Sequence, residues 1–135
     1  MRGFTAPGRG GRVEYALARN AVIKEFNKGR LSKLDVCDAH PELMRAARNI
    51  GVRLDETCPI CEDEMLVHVT YVFGPGLPPN GRCPATATEL QKLCRRQKEV
   101  TCYVVEVCPE CRWNHLIRSY PAGAGARARP GALKS

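Results

Sequence analysis

Cys58-Pro59-Ile60-Cys61 and Cys108-Pro109-Glu110-Cys111 repeat one spacing, with proline after the first cysteine both times. Each turn can aim two thiolates at one ion, and four such sulfurs make a closed tetrahedral donor set, that of structural zinc. Cys58, Cys61, Cys108 and Cys111 are therefore the expected metal ligands, and zinc the expected cofactor. A closed four-sulfur site leaves no position for an activated water, and the chain carries no Gly-x-Ser-x-Gly, phosphate loop or His-Glu-x-x-His pattern. The expectation is a protein that is not an enzyme and has no small-molecule substrate. Redox chemistry is the exception: metal-free pairs could exchange disulfides, or the site could hold iron and pass electrons. Against disulfide exchange, each pair adjoins a strand-like run and not a helix N-terminus that would stabilise a thiolate.

Other residues with reactive or ligating side chains allow two readings each. Cys37-Asp38-Ala39-His40 has ligand-like spacing, but a second zinc would need two more donors from Cys83, Cys94, Cys102, His68 and His115. Without them, Cys37 is a small buried residue and His40 a helix cap. His115, four positions past Cys111, either contacts the metal or its thiolates or is a strand imidazole on a half-exposed face. Trp113 is an apolar anchor against the first helix, or a platform for a base. Lys92, Arg95, Arg96 and Lys98 gather in one segment, Arg112 and Arg118 flank another, and Arg127 and Arg129 follow near the end. Together they could form one surface for phosphates; separately they are solvated charges.

The whole-chain balance agrees with an anionic partner. Lys and Arg number 21 against 14 Asp and Glu, a net charge of +7, with a pI near 9.2. At 135 residues there is room for one domain, in which a metal staple would add to a modest core. Eight cysteines could make disulfides. Yet the opening Met-Arg-Gly-Phe-Thr-Ala-Pro has no apolar signal segment and no stretch reaches membrane-spanning length, so a cytoplasmic, reducing compartment without a membrane is expected.

These residues need elements to position them. Residues 1–11 are rich in Gly and Arg and are expected to be flexible, as is a basic low-complexity tail over 121–135. Residues 12–57 read as helical. Val13, Ala16, Leu17 and Asn20 share a stripe that Tyr15, Val22 and Phe26 widen, with a stop at Gly29. A second helix runs from Pro41, capped by Asp38 or His40, to Gly51. Met65 to Phe73 alternates as a strand, and Gly74 to Gly81 breaks it. Thr86 and Glu89 form a capping box for an inserted helix over 87–98. Val100 to Val107 returns as a strand and Trp113 to Tyr120 is a third.

The 46 residues between Cys61 and Cys108 thus hold a strand, a loop, a helix and a returning strand, which brings the pairs together by chain reversal. Residues 58–120 resemble a zinc ribbon, in which two such turns clamp one ion at the tip of a small sheet. A longer resemblance rests on Tyr15-Ala16-Leu17, Val36-Cys37-Asp38-Ala39, Pro41, Leu43, Arg45-Ala46-Ala47, Cys58-Pro59-Ile60-Cys61, Val72-Phe73-Gly74, Val105-Glu106-Val107-Cys108, Cys111, Trp113-Asn114-His115-Leu116 and Ser119-Tyr120. It is similar to a family of small, uncharacterised actinobacterial proteins carried as a domain of unknown function. The resemblance implies a bacterial cytosolic protein with a helical N-terminal part and a four-cysteine metal site. Cys83, Cys94 and Cys102 lie outside the family's pattern.

The expected fold is α+β, with N-terminal helices packed on a three-stranded antiparallel zinc-ribbon sheet that carries an inserted helix over residues 58–120. The expected function is that of a zinc-binding adaptor that docks on nucleic acid or a nucleoprotein machine such as RNA polymerase or the ribosome. The alternatives are a protein-interaction module of another cytosolic complex, and a thiol redox or iron electron-transfer protein.

Overall fold

The computed structural model describes residues 11–125. In chain order these form β1 (Val13–Glu14), α1 (Ala16–Asn27), α2 (Lys33–Val36), α3 (Pro41–Ile50), β2 (Val52–Thr57), β3 (Met65–Phe73), α4 (Ala87–Arg96), β4 (Thr101–Val107) and β5 (Asn114–Pro121). The fold is α+β, as expected, but the sheet has five strands in the order β1-β5-β4-β3-β2 where three were expected. Every neighbouring pair is antiparallel. The added strands are the two edges, and both come from the segment read as helical.

Alternation along the central strands sorts side chains onto two faces. Val67, Val69, Tyr71 and Phe73 of β3 join Tyr103, Val105 and Val107 of β4 and Leu116 of β5 under Leu43, Met44 and Ala47 of α3. Leu66 points the other way and packs with Trp113 and with Val22, Ile23 and Phe26 of α1. On that face, at the far end of the sheet, Val72 and Cys102 meet Leu90, Leu93 and Cys94 of α4. Three apolar clusters therefore hold one sheet between helices.

The inner face of α1 differs from the expected stripe. Val13 is in a strand, and Leu17 is 87% exposed. The residues turned inward are Arg19, Val22, Ile23 and Phe26, a face rotated by about a third of a turn from the stripe, and of these Val22 and Phe26 were expected to widen it. Arg19 belongs there because its Nε donates to the buried carboxylate of Glu106 at 2.9 Å.

α3 starts and ends as its sequence suggested. His40 Nδ1 accepts the Glu42 N–H at 3.1 Å, Pro41 takes the first turn, and Gly51 is the C-cap. A β-carbon on Gly51 would lie 2.8 Å from Val67 Cγ2, so only glycine lets the chain turn from α3 into β2 against β3. In α4, Thr86 Oγ1 accepts from Glu89 N at 3.1 Å, while the Glu89 carboxylate reaches past the cap to the N–H of Ala85. The helix stops at Arg96, two residues short of expectation.

The start of the expected tail belongs to the body. β5 runs through Pro121, Ala122 is buried, and the N–H groups of Ala122, Ala124 and Gly125 donate to Val100, Gln97 and Lys98 carbonyls. Residues 1–10 and 126–135, the rest of both expected flexible ends, lie outside the described residues. Among the described residues, no helix is long and apolar enough to cross a membrane.

Candidate metal centre

Each cysteine pair occupies the loop of a hairpin. β2 and β3 close with the pair Thr57 and Met65, and the loop between them holds Cys58 and Cys61. β4 and β5 close with Val107 and Asn114, around Cys108 and Cys111. The loops are built alike. Cys58 N donates to Glu64 O and Glu62 N to Cys58 O, as Cys108 N donates to Trp113 O and Arg112 N to Cys108 O. Backbone N–H groups also point at sulfur: Ile60 N lies 3.4 Å from Cys58 Sγ, and Cys111 N 3.4 Å from Cys108 Sγ. The residue after each second cysteine turns the chain with a left-handed backbone, φ 59° at Glu62 and 78° at Arg112. Pairing of β3 with β4, with Val67 opposite Val107, sets the two loops side by side.

The four sulfurs of Cys58, Cys61, Cys108 and Cys111 all lie within 4.8 Å of one another. Cys58 to Cys111 and Cys61 to Cys108 are both 3.7 Å. A tetrahedral ion with metal–sulfur bonds of about 2.3 Å has sulfur–sulfur edges of about 3.8 Å, which two opposite edges of the cluster match, so the four cysteines could hold a metal ion. Cys58 and Cys108 are buried, and Cys61 and Cys111 half-buried. The Cys111 hydrogen bond and burial raise the Cys58 pKa, and burial pushes Cys108 up to about 11. Without a metal these two thiols are protonated at neutral pH, so an ion entering the site must displace their protons.

A fifth cysteine stands at the rim. Cys37 Sγ donates to Cys111 Sγ at 3.5 Å. It is placed by the C-terminus of α2, whose start is fixed by a reciprocal cap between Ser32 and Asp35. The loop after it is tied to the second cysteine turn: Ala39 N donates to Arg112 O, and the Arg112 guanidinium donates twice to Ala39 O, at 2.6 and 3.1 Å. Arg48 of α3 donates to Pro109 O at 3.2 and 3.3 Å. The expected alternative for Cys37, a second site with His40, is not what the fold assembles. Among the described residues, the four-sulfur group is the one cluster of ligating side chains.

The remaining candidates fall elsewhere. Cys83 packs beside Tyr71 under α3, and Cys94 and Cys102 lie in the cluster under α4. His115 is fully buried, not half-exposed; its Nδ1 is 2.7 Å from Leu116 O and its ring stacks on Trp113. Trp113 packs against α1, and its Nε1 donates to Glu106 at 2.8 Å. A cleft of about 520 Å³ beside α3 is lined by Asp38, His40, Glu42 and Asn114, but none of the five sulfurs reaches it.

The basic residues divide. Lys92, Arg95, Arg96 and Lys98 are exposed on and just after α4, at the end of the sheet away from the cysteine turns. Arg112 is spent on Ala39 at the end with the cysteine turns. Arg118 lies partly buried in β5, 3.6 Å from Glu14. The single surface joining sheet and helix is therefore replaced by a patch on α4 alone. Arg127 and Arg129 lie outside the described residues.

Local spacing carried the four sulfurs, whereas Cys37 and the Arg48 and Arg112 braces depend on contacts between distant segments, for which the sequence held no pattern beyond the Cys37 to His40 spacing. Similarity to known proteins extends over almost all of this framework. The chain is 43% identical over 118 residues to uncharacterised proteins of Mycobacterium tuberculosis and Mycobacterium bovis, covering 87% of this chain and 86% of theirs. No solved structure matches it. A model of a family of unknown function, DUF5318, matches residues 8–134. Spanning both cysteine turns, the Cys37 loop and all the helices, that match makes the chain a member of the DUF5318 family.

Proposed function

We propose that this protein is a non-enzymatic zinc-binding adaptor, in which one structural ion joins the two hairpin loops and α4 presents the attachment face for nucleic acid or a nucleoprotein machine such as RNA polymerase or the ribosome. The observation that carries the metal half is the pair of 3.7 Å sulfur separations, on opposite edges of one tetrahedron. Four sulfur donors favour zinc or iron over the hard cations, and zinc takes this closed set without redox change. With all four positions filled by protein, the ion would be structural. The attachment half is supported by Lys92, Arg95, Arg96 and Lys98, none of which forms an ion pair among the described residues.

A second reading, docking on another protein, is favoured by the exposure of Leu17 at 87%, Leu34 at 86% and Val52 at 68%. Elemental analysis of protein purified without added metal, followed by titration with RNA and DNA at low salt, tests the proposal. Zinc in equimolar amount and salt-sensitive binding are expected. A stably folded metal-free chain would overturn the first half. Iron in the site would favour electron transfer. Zinc without nucleic-acid binding would move the protein-docking reading ahead.

A further inference from the structure

Five thiols meet where a tetrahedral ion can use four. The surplus one, Cys37, is 3.5 Å from Cys111, closer than the 3.7 Å separations within the four-sulfur set. Cys111 is half-buried, whereas Cys58 and Cys108 are 1% and 0% exposed. Within the four-sulfur set a small oxidant reaches Cys111 or Cys61 first, and of these Cys111 has a non-ligand thiol, the half-buried Cys37, against it. Closing from 3.5 Å to a disulfide bond of about 2.05 Å needs a sulfur displacement of about 1.5 Å. Cys37 can supply it, because it sits past the end of the short α2 at the head of a loop.

We propose that Cys37 is the resolving thiol of a peroxide-sensitive disulfide site, and that forming the Cys37–Cys111 bond withdraws Cys111 from the metal. This deepens the metal-centre reading and rests on it for the release step. The oxidant is a hydroperoxide. Its O–O bond breaks as the Cys111 thiolate takes one oxygen, giving the sulfenic acid and hydroxide, or the corresponding alkoxide. The Cys37 sulfur then attacks the Cys111 sulfur; the S–O bond breaks, the S–S bond forms, and the leaving hydroxyl departs as water with the Cys37 proton. Two cysteine sulfurs lose two electrons and the peroxide gains two. Cys37 can attack without first breaking a metal bond, which Cys58, Cys61 and Cys108 cannot do while they hold the ion. With three sulfurs left the site is open and the ion is lost to a competing chelator.

Full-length protein purified with its metal, treated with hydrogen peroxide beside a chromogenic zinc chelator, tests this. Disulfides are mapped by mass spectrometry after blocking free thiols. The expected products are a Cys37–Cys111 linked peptide and released zinc in equal amounts, both reversed by dithiothreitol and fresh zinc. Cys37→Ser should bind zinc as the parent does, lose the linked peptide, and give sulfinic acid at Cys111 that dithiothreitol does not reverse. Cys37→Ala serves the same purpose if serine at the rim disturbs folding. Disulfides confined to Cys58–Cys61 or Cys108–Cys111, or unchanged reversible zinc release from Cys37→Ser, would overturn the proposal. Protein isolated without metal would remove the metal-centre reading and the release step with it. Mapping of the same disulfide in that protein would still decide the pairing.

Discussion

Glu62 and Arg112 occupy the same left-handed position in the two cysteine turns, yet substitution should affect them in opposite directions. For an L-residue that backbone costs roughly 1 kcal/mol or more, and glycine relieves it while returning part of the gain as unfolded-chain entropy. Glu62→Gly should therefore stabilise the zinc-loaded protein by about 0.5 kcal/mol, read as a higher urea midpoint. Arg112→Gly loses both guanidinium bonds to Ala39 O and should destabilise by about 1 kcal/mol or more. An unchanged or lower midpoint for Glu62→Gly would show that backbone strain does not govern this position. His68 gives a pH signature. Burial holds its pKa below the usual 6.5, with Arg118 and Arg19 acting the same way and Glu106 and Glu56 opposing. Below 6.5 the unfolded chain takes up a proton that the folded one resists, so this contribution to stability is intact above 6.5 and falls as the pH drops. At saturating zinc, His68→Gln should flatten the profile below that pH; parallel parent and variant profiles would rule the group out. Much of the site was legible at this scale because a Cys-x-x-Cys turn is a local object. Cys37 was not, since it meets Cys111 across 74 positions and nothing near it in the sequence distinguishes a rim thiol from a core one.

At the scale of elements, the central strands, α3, α4 and the helix of α1 follow from pattern, and the inner face of α1 and the edge strands do not. Val52-Arg53-Leu54-Asp55-Glu56-Thr57 is mostly exposed, and its pairing with β3 is set by the turn at Cys58 rather than by an apolar run. Sequence periodicity registers burial, so a solvated edge strand gives it little to detect. The face of α1 was legible in part: Val22 and Phe26 turn inward as expected, whereas Leu17 does not. Counting apolar residues favoured Leu17, but the helix is oriented by a charge: Arg19 and Trp113 both donate to Glu106, whose side chain is 3% exposed. Arg19→Met would leave that carboxylate buried with one neutral donor, a loss of about 3 kcal/mol in urea unfolding. Adding Glu106→Gln, which still accepts from Trp113, should recover most of it. If the two substitutions were instead additive, the ion pair would not be what docks α1 on the sheet.

For the whole molecule, the consequential feature is the distance between its two ends. β4 has seven residues, so about 20 Å separate the cysteine turns from the α4 cluster. Each end is packed by its own apolar group, the cysteine-turn end around Trp113 and the far end around Cys102. Metal and attachment should therefore be separable by mutation. Replacing Lys92, Arg95, Arg96 and Lys98 with Gln leaves the helix its formers and its Thr86 cap, so zinc content and fold should not change. If these four side chains bind phosphates, the substitutions should weaken binding to RNA or DNA of every sequence alike. The slope of log affinity against log salt should become shallower by about 0.7 to 0.9 for each phosphate no longer neutralised. Bonds to the nucleic-acid backbone position a protein without reading bases, so a loss restricted to one sequence would indicate a different kind of interface. If the four sulfurs hold a structural zinc, the counterpart substitution, Cys61→Ser, should abolish metal binding and, as such an ion contributes roughly 10 kcal/mol or more, unfold the cysteine-turn end, while the α4 end keeps its own packing. An α4 variant with full affinity and an unchanged salt slope would exclude this helix as the attachment face. The exposed Leu17, Leu34 and Val52 would then be the first surfaces to mutate.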